Sequence, residues 1–176
     1  MTRTPKIALF GGTFNPIHNG HLLIAEAAKD RQKLDRVIFV PAGLPPHKKA
    51  PRTPARNRMA MVRLAIRGNP AFKASDWEVR QKRVVYTYQT LEHFRQKWPR
   101  ARLFFVVGSD SMKKLPKWRE SRRLRRVCRF LPFMRIAPYA SHDIRRRVRT
   151  GSSIRYLVPE AVERYIKRLR LYRRPE

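Results

Sequence analysis

A single cysteine, Cys128, is all the thiol in this chain, which excludes an internal disulfide and any cysteine cluster able to hold a metal. It sits in the apolar stretch Val127–Leu131, where buried packing is the expected role. Also missing is any apolar run near the ~20 residues that a membrane helix needs. Ile7–Phe10 is too short for the core of a signal peptide, so the expectation is a cytosolic protein without membrane contact. Acid is scarce: 12 Asp and Glu stand against 42 Lys and Arg, a formal charge of +30. Such a field attracts polyanions of every kind. No RNA-recognition motif or zinc finger accompanies it, so contact with nucleic acid is expected to be non-specific if it occurs at all. Two familiar phosphate-binding patterns are absent as well. Without Gly-x-x-x-x-Gly-Lys-Ser/Thr the chain is no ordinary P-loop enzyme, and without Gly-x-Gly-x-x-Gly dehydrogenase-type dinucleotide binding has no support.

What is present fits one compact unit. The 176 residues suit a single domain, 42% are hydrophobic, and neither an internal repeat nor a linker interrupts them. Lys6–Phe10 reads as a strand ending at Gly11-Gly12. Gly20–Lys33 carries Leu22, Leu23, Ala25, Ala27 and Ala28 at the spacing of an amphipathic helix, and Asp35–Pro41 is the next strand. A strand, a helix and a strand of these lengths make a βαβ unit, hence a parallel sheet with a right-handed crossover. After the proline-rich loop Gly43–Pro54 the pattern predicts a helix through Met59, Val62, Leu64 and Ala65, a strand at Ser75–Val79, and a helix over Tyr86–Lys97. It goes on with a strand at Ala101–Val107, helical composition at Arg119–Arg126 and a last strand at Val127–Leu131. Helices at Ser141–Arg149 and Pro159–Leu169 close the chain, each with a polar or proline start. The fold class is therefore α/β, a Rossmann-like parallel sheet with helices on both faces. In such sheets ligands bind beyond the carboxyl ends of the strands, and Gly11-Gly12, Pro41-Ala42-Gly43 and Gly108-Ser109-Asp110 all fall on that edge.

The segment Gly11-Gly12-Thr13-Phe14-Asn15-Pro16-Ile17-His18-Asn19-Gly20-His21 carries the chemistry. Adjacent glycines let backbone N–H groups approach a phosphate without interference from Cβ atoms. His18 and His21, three residues apart at a helix start, share one face beside the positive end of the helix dipole. Two imidazoles so placed can donate hydrogen bonds to a phosphate that gains charge in a transition state. A His-x-x-His pair can also begin a zinc site, but no further ligands stand nearby.

His18-Asn19-Gly20-His21 resembles the His-x-Gly-His signature of the nucleotidylyltransferase superfamily, and the chain from Ile7 to Tyr172 resembles bacterial nicotinate-nucleotide adenylyltransferases. Val40-Pro41, Pro45-Pro46-His47-Lys48, Tyr86-Thr87, Gly108-Ser109-Asp110-Ser111, Pro116-Lys117-Trp118 and Tyr156-Leu157-Val158-Pro159 match in order. The resemblance implies transfer of AMP from ATP to nicotinate mononucleotide, with Mg²⁺ accompanying ATP as co-substrate and pyrophosphate leaving. It implies His18, His21 and Arg145 as catalytic groups. ATP would be bound by Gly11, Gly12, Thr13, Phe14, Lys48, Gly108, Asp110 and Ser141, and the mononucleotide by Tyr86, Thr87 and Trp118. Self-association is left open.

The chain departs from the family pattern at Tyr139-Ala140-Ser141-His142-Asp143-Ile144-Arg145, where His142 replaces a threonine of the phosphate grip. Glu120–Pro138 is also short for the family, which leaves room for a lost strand or helix. Two other readings stand beside the first. One is adenylyl or cytidylyl transfer to another acceptor, such as nicotinamide mononucleotide or phosphopantetheine. The other is a repurposed nucleotide fold that binds nucleic acid through its basic surface.

Overall fold

A computed structural model describes residues 3–45, 51–134 and 140–174. Five parallel strands form one sheet in the order β3-β2-β1-β4-β5. They are β1 (Lys6–Gly12), β2 (Arg36–Pro41), β3 (Phe72–Ala74), β4 (Arg102–Gly108) and β5 (Arg129–Phe133). The helices are α1 (Asn19–Gln32), α2 (Ala55–Ala65), α3 (Trp77–Arg80), α4 (Thr87–Lys97), α5 (Ser109–Lys113), α6 (Ser121–Val127), α7 (Ser141–Arg149) and α8 (Glu160–Arg168). The Rossmann-like arrangement read from the sequence is the one observed.

Period-two alternation explains why both faces are covered. Ala8, Phe10, Val37, Phe39, Phe104 and Val106 point to one side, where they meet Ala25 and Ala28 of α1, Met61 and Val62 of α2, Ile144 of α7 and Val162 of α8. Ile7, Leu9, Ile38, Val40, Leu103 and Phe105 point to the other, against Leu91 and Phe94 of α4 and Leu124 of α6. Cys128 is buried in this second cluster, and burial pushes its thiol up to about 12, so it packs as an inert apolar group.

Three expectations need correction. The third strand lies at Phe72–Ala74, not Ser75–Val79. Buried Phe72 is the residue the sheet takes, and the Ser75 hydroxyl then accepts the Trp77 N–H at 3.3 Å, turning the chain into α3. The fifth strand begins at Arg129 because α6 continues through Val127, whose carbonyl accepts from Arg95 Nη2 at 2.7 Å. Within the described part of the short region, residues 120–134, both α6 and β5 are present. Leu23, placed on the apolar side of α1 by spacing alone, is 54% exposed.

Candidate active site

From β1 the chain winds outward in one direction to β2 and β3, and from β4 in the other to β5. The carboxyl ends of β1 and β4 therefore flank the switch point, where a crevice must open. A cavity of about 170 Å³ lies there, walled by Gly11, Gly12 and Gly108 at the strand ends and by Glu78, Thr87 and Trp118 from the second face. The two glycines of β1 are demanded first by the rings beneath them. A Cβ on Gly11 would stand 3.0 Å from the Phe105 ring, and one on Gly12 would stand 3.0 Å from the Phe14 ring. The same bareness leaves their backbone open to the cavity.

The turn after β1 is clamped from the far end of the chain. Asn15 is buried; its side-chain oxygen accepts from the Tyr172 hydroxyl at 2.8 Å, and its carbonyl accepts from Arg145 Nη1 at 2.8 Å. The Pro16 carbonyl accepts from Ser141 Oγ at 2.9 Å, and the Asn19 N–H donates to the Leu157 carbonyl at 2.9 Å. The Phe14 ring is 2% exposed, edge-on to Phe10 and His21, with its backbone at φ 48°. Phe14 therefore reaches a ligand only through its main chain, and its ring supports His21.

His18 is the N-cap of α1, and its imidazole stacks on that of His21 with centroids 3.7 Å apart. The His18 N–H donates to His21 Nδ1 at 3.2 Å. With Nδ1 accepting, the neutral His21 ring carries its proton on Nε2. Burial, and then the neighbouring His18, hold His21 well below the ordinary imidazole range, so it is a neutral donor near pH 7. Gly20 lies between them because a Cβ there would stand 3.0 Å from His18 Nδ1. Spacing alone put the two rings on one face; the structure adds their mutual stacking and fixes the tautomer.

The remaining expected residues divide. Thr87, Trp118 and Gly108 line the cavity, while Asp110 lies in the first turn of α5, exposed, and Ser111 rather than Asp110 reaches the wall. Trp118 is half-buried and edge-on to Phe105 and Phe130, each 6.4 Å away, so it packs and lines at once. The N–H of Tyr86, expected at the mononucleotide, donates to Gln89 Oε1 at 3.0 Å. Its ring lies under the Arg119 guanidinium, 5.0 Å away. Ser141 and Arg145, expected at ATP, donate to carbonyls of the β1–α1 turn, whereas the His142 side chain is 65% exposed, beside Asp143. Lys48 and Tyr139 lie outside the described residues.

Two residues of the site were not singled out from sequence. Arg58 is 1% exposed; its Nη1 donates to the carbonyls of Thr13 at 2.8 Å and Ala42 at 2.7 Å, and its Nη2 to that of Gly43 at 2.9 Å. It thereby ties the turns after β1 and β2 together. The available signal was an arginine three and four residues before Met61 and Val62, on the apolar stripe of α2. Glu78, half-buried and bonded to Thr90, fell within a misplaced strand and carried no signal.

A family model described as Cytidylyltransferase-like matches residues 9–157. A Thermomicrobium roseum protein named "Probable nicotinate-nucleotide adenylyltransferase" is 40% identical, covering 97% of this chain and 93% of its own. One of the same name from Exiguobacterium sibiricum is 39% identical over 95% and 98%. Among solved structures, a Vibrio parahaemolyticus protein assigned as a nicotinate-nucleotide adenylyltransferase superimposes with a TM-score of 0.82 at 25% identity, covering 98% of each chain. The Plasmodium falciparum nicotinic acid mononucleotide adenylyltransferase complexed with NaAD shares the fold, with a TM-score of 0.79 at 16% identity over 96% and 98%. With its paired histidines at the switch point of a parallel sheet, this chain belongs to the cytidylyltransferase-like family and, within it, to the nicotinate-nucleotide adenylyltransferases.

Proposed function

We propose that the chain transfers AMP from ATP to nicotinate mononucleotide, releasing pyrophosphate and forming nicotinate adenine dinucleotide. The observation that carries this reading is the stacked His18–His21 pair at the start of α1, the helix that follows β1, whose Gly11 and Gly12 wall the same cavity as Trp118 and Thr87. A phosphate oxygen of the mononucleotide attacks the α-phosphorus of ATP, and the bond from that phosphorus to the bridging oxygen breaks as pyrophosphate leaves. No side chain forms a covalent bond, so positioning and charge stabilisation are what the protein supplies. His21, neutral and donating from Nε2, stabilises charge that grows on the phosphates, with the dipole of α1 behind it. His18 is held against it by stacking. Arg145 and Ser141 fix the turn on which both depend, and Gly11, Gly12 and Thr13 bring backbone and hydroxyl groups to the phosphates.

Mg²⁺ fits this site as an ion brought by ATP. Among the described residues no group of three or more His, Cys, Asp or Glu is placed to hold a metal, and Mg²⁺ ordinarily keeps several waters and takes substrate phosphate oxygens. When bound it would neutralise charge on the triphosphate.

The reading is tested by pyrophosphate release from ATP and Mg²⁺ with nicotinate mononucleotide and nicotinamide mononucleotide offered separately. Release with the acid confirms adenylyl transfer, and release with neither overturns it. Trp118→Ala should raise KM for the mononucleotide roughly 3–10-fold with little change in kcat, the magnitude of one lost aromatic stack. An unchanged KM would leave Trp118 a packing residue only.

A further inference from the structure

Glu78 is the one ionisable side chain among the described residues that line the cavity. It is held from three sides. From α4, Thr90 Oγ1, itself 1% exposed, lies 2.6 Å from Oε1. From α2, Arg58 faces it as the charged neighbour, its guanidinium already committed to the carbonyls of Thr13, Ala42 and Gly43. From the turn after β2, Gly43 presses so close that a Cβ there would stand 2.5 Å from the Glu78 carbonyl oxygen. Beside it on α4, His93 stacks on Trp77 at 4.5 Å; burial and then Lys97 lower its pKa, so it adds no charge near pH 7. Burial raises the Glu78 carboxyl to about 7, against the opposing pulls of Thr90 and Arg58. The adenylyl-transfer mechanism makes no use of this acid, yet it shares a wall with Thr87 and Trp118.

We propose that Glu78 is a specificity-determining residue for the acceptor: as a neutral acid it donates from Oε2 to the carboxylate of nicotinate mononucleotide, and as a carboxylate it accepts from the amide of nicotinamide mononucleotide. This inference rests on the adenylyl-transfer reading of the same site. Two carboxylates in contact do not both stay ionised in a half-dry cavity, so the acid ligand holds the Glu78 proton in place. An amide ligand, which can donate, favours the ionised form instead. With Oε1 engaged by Thr90, the proton of the neutral form sits on Oε2 and is the one available to the ligand. The proton comes from solvent when the acid binds and returns when product leaves; adenylyl transfer neither consumes nor releases it. Preference for acid over amide therefore falls as pH rises through the Glu78 titration.

The test compares kcat/KM for the two acceptors, by pyrophosphate release, from about pH 6 to about pH 8.5, in the wild-type protein and in Glu78→Gln. In the wild type the acid-to-amide ratio should fall by up to about tenfold per pH unit above neutrality, while in Glu78→Gln it should stay flat. A flat ratio in the wild type, or an equal slope in both proteins, overturns the inference. Release with neither acceptor in the wild type overturns the adenylyl-transfer reading instead. If Glu78→Gln fails to fold by circular dichroism, calorimetry on the wild type decides the matter. Nicotinate mononucleotide binding near pH 8, in two buffers of different ionisation enthalpy, should take up roughly one proton. No uptake overturns the inference.

Discussion

His18→Ala and His21→Ala are each expected to lower kcat for adenylyl transfer by about 10²–10³-fold, the usual cost of one donor to a charge that develops in the transition state. The variants should differ in their side effects. His18 caps α1 and stacks on its partner, so its loss leaves the core intact and moves the unfolding midpoint little. His21 is edge-on to Phe10 and Phe14, so its truncation also opens a gap beside the core and should cost about 1–2 kcal/mol of stability. Urea unfolding beside steady-state pyrophosphate release separates the two effects, and normal turnover in either variant would sink the phosphate role.

The pH dependence of stability gives a second readout. The folded-state pKa of His21 lies below its unfolded value of 6.5. The stability it contributes is therefore fully present above pH 6.5 and is lost as pH falls through the folded value. The stability gap between wild type and His21→Ala should accordingly narrow on acidification.

Arg58→Met is expected to destabilise the fold by about 3–5 kcal/mol, because removing a buried cation strands the groups it satisfied. Four of those are the Thr13, Ala42, Gly43 and Thr53 carbonyls. The fifth is the Glu78 carboxyl, whose pKa the Arg58 charge lowers. A carboxyl with a folded pKa of about 7 and an ordinary value of 4.5 contributes stability fully present below pH 4.5 and lost as pH rises through 7. Without Arg58 that folded pKa rises further, so the Arg58→Met deficit should widen between about pH 6 and about pH 8. Arg58→Lys keeps the charge but not the fork of donors, and should recover only part of the loss. Chemical denaturation at the two pH values measures both effects. A deficit under about 1 kcal/mol would show that water replaces the guanidinium without cost.

The sheet and its two covered faces were legible because they depend on alternation and periodicity, which neighbouring residues carry. Ile7 and Leu9 against Ala8 and Phe10 are enough to state that β1 is buried on both sides. Gly11 to His21 was legible for the same reason, since a turn, a helix start and two imidazoles three residues apart are all local. Element ends were less so: β3 and β5 moved when Ser75 and Arg95, from outside the apolar runs, supplied or took the deciding hydrogen bonds. What the chain could not show by itself is anything that depends on meeting across long separations. Arg58 becomes a buried clamp only when β1 and β2 lie side by side, and Tyr172 and Arg145 hold Asn15 only once the last helices fold back over the first turn. Sequence thus determined the fold class and the pairing of His18 with His21 at a helix start, through short-range steric and hydrophobic pattern. Tertiary structure alone decided which polar groups lose water together, and with that the tautomer of His21, the raised pKa of Glu78 and the partners of Arg58.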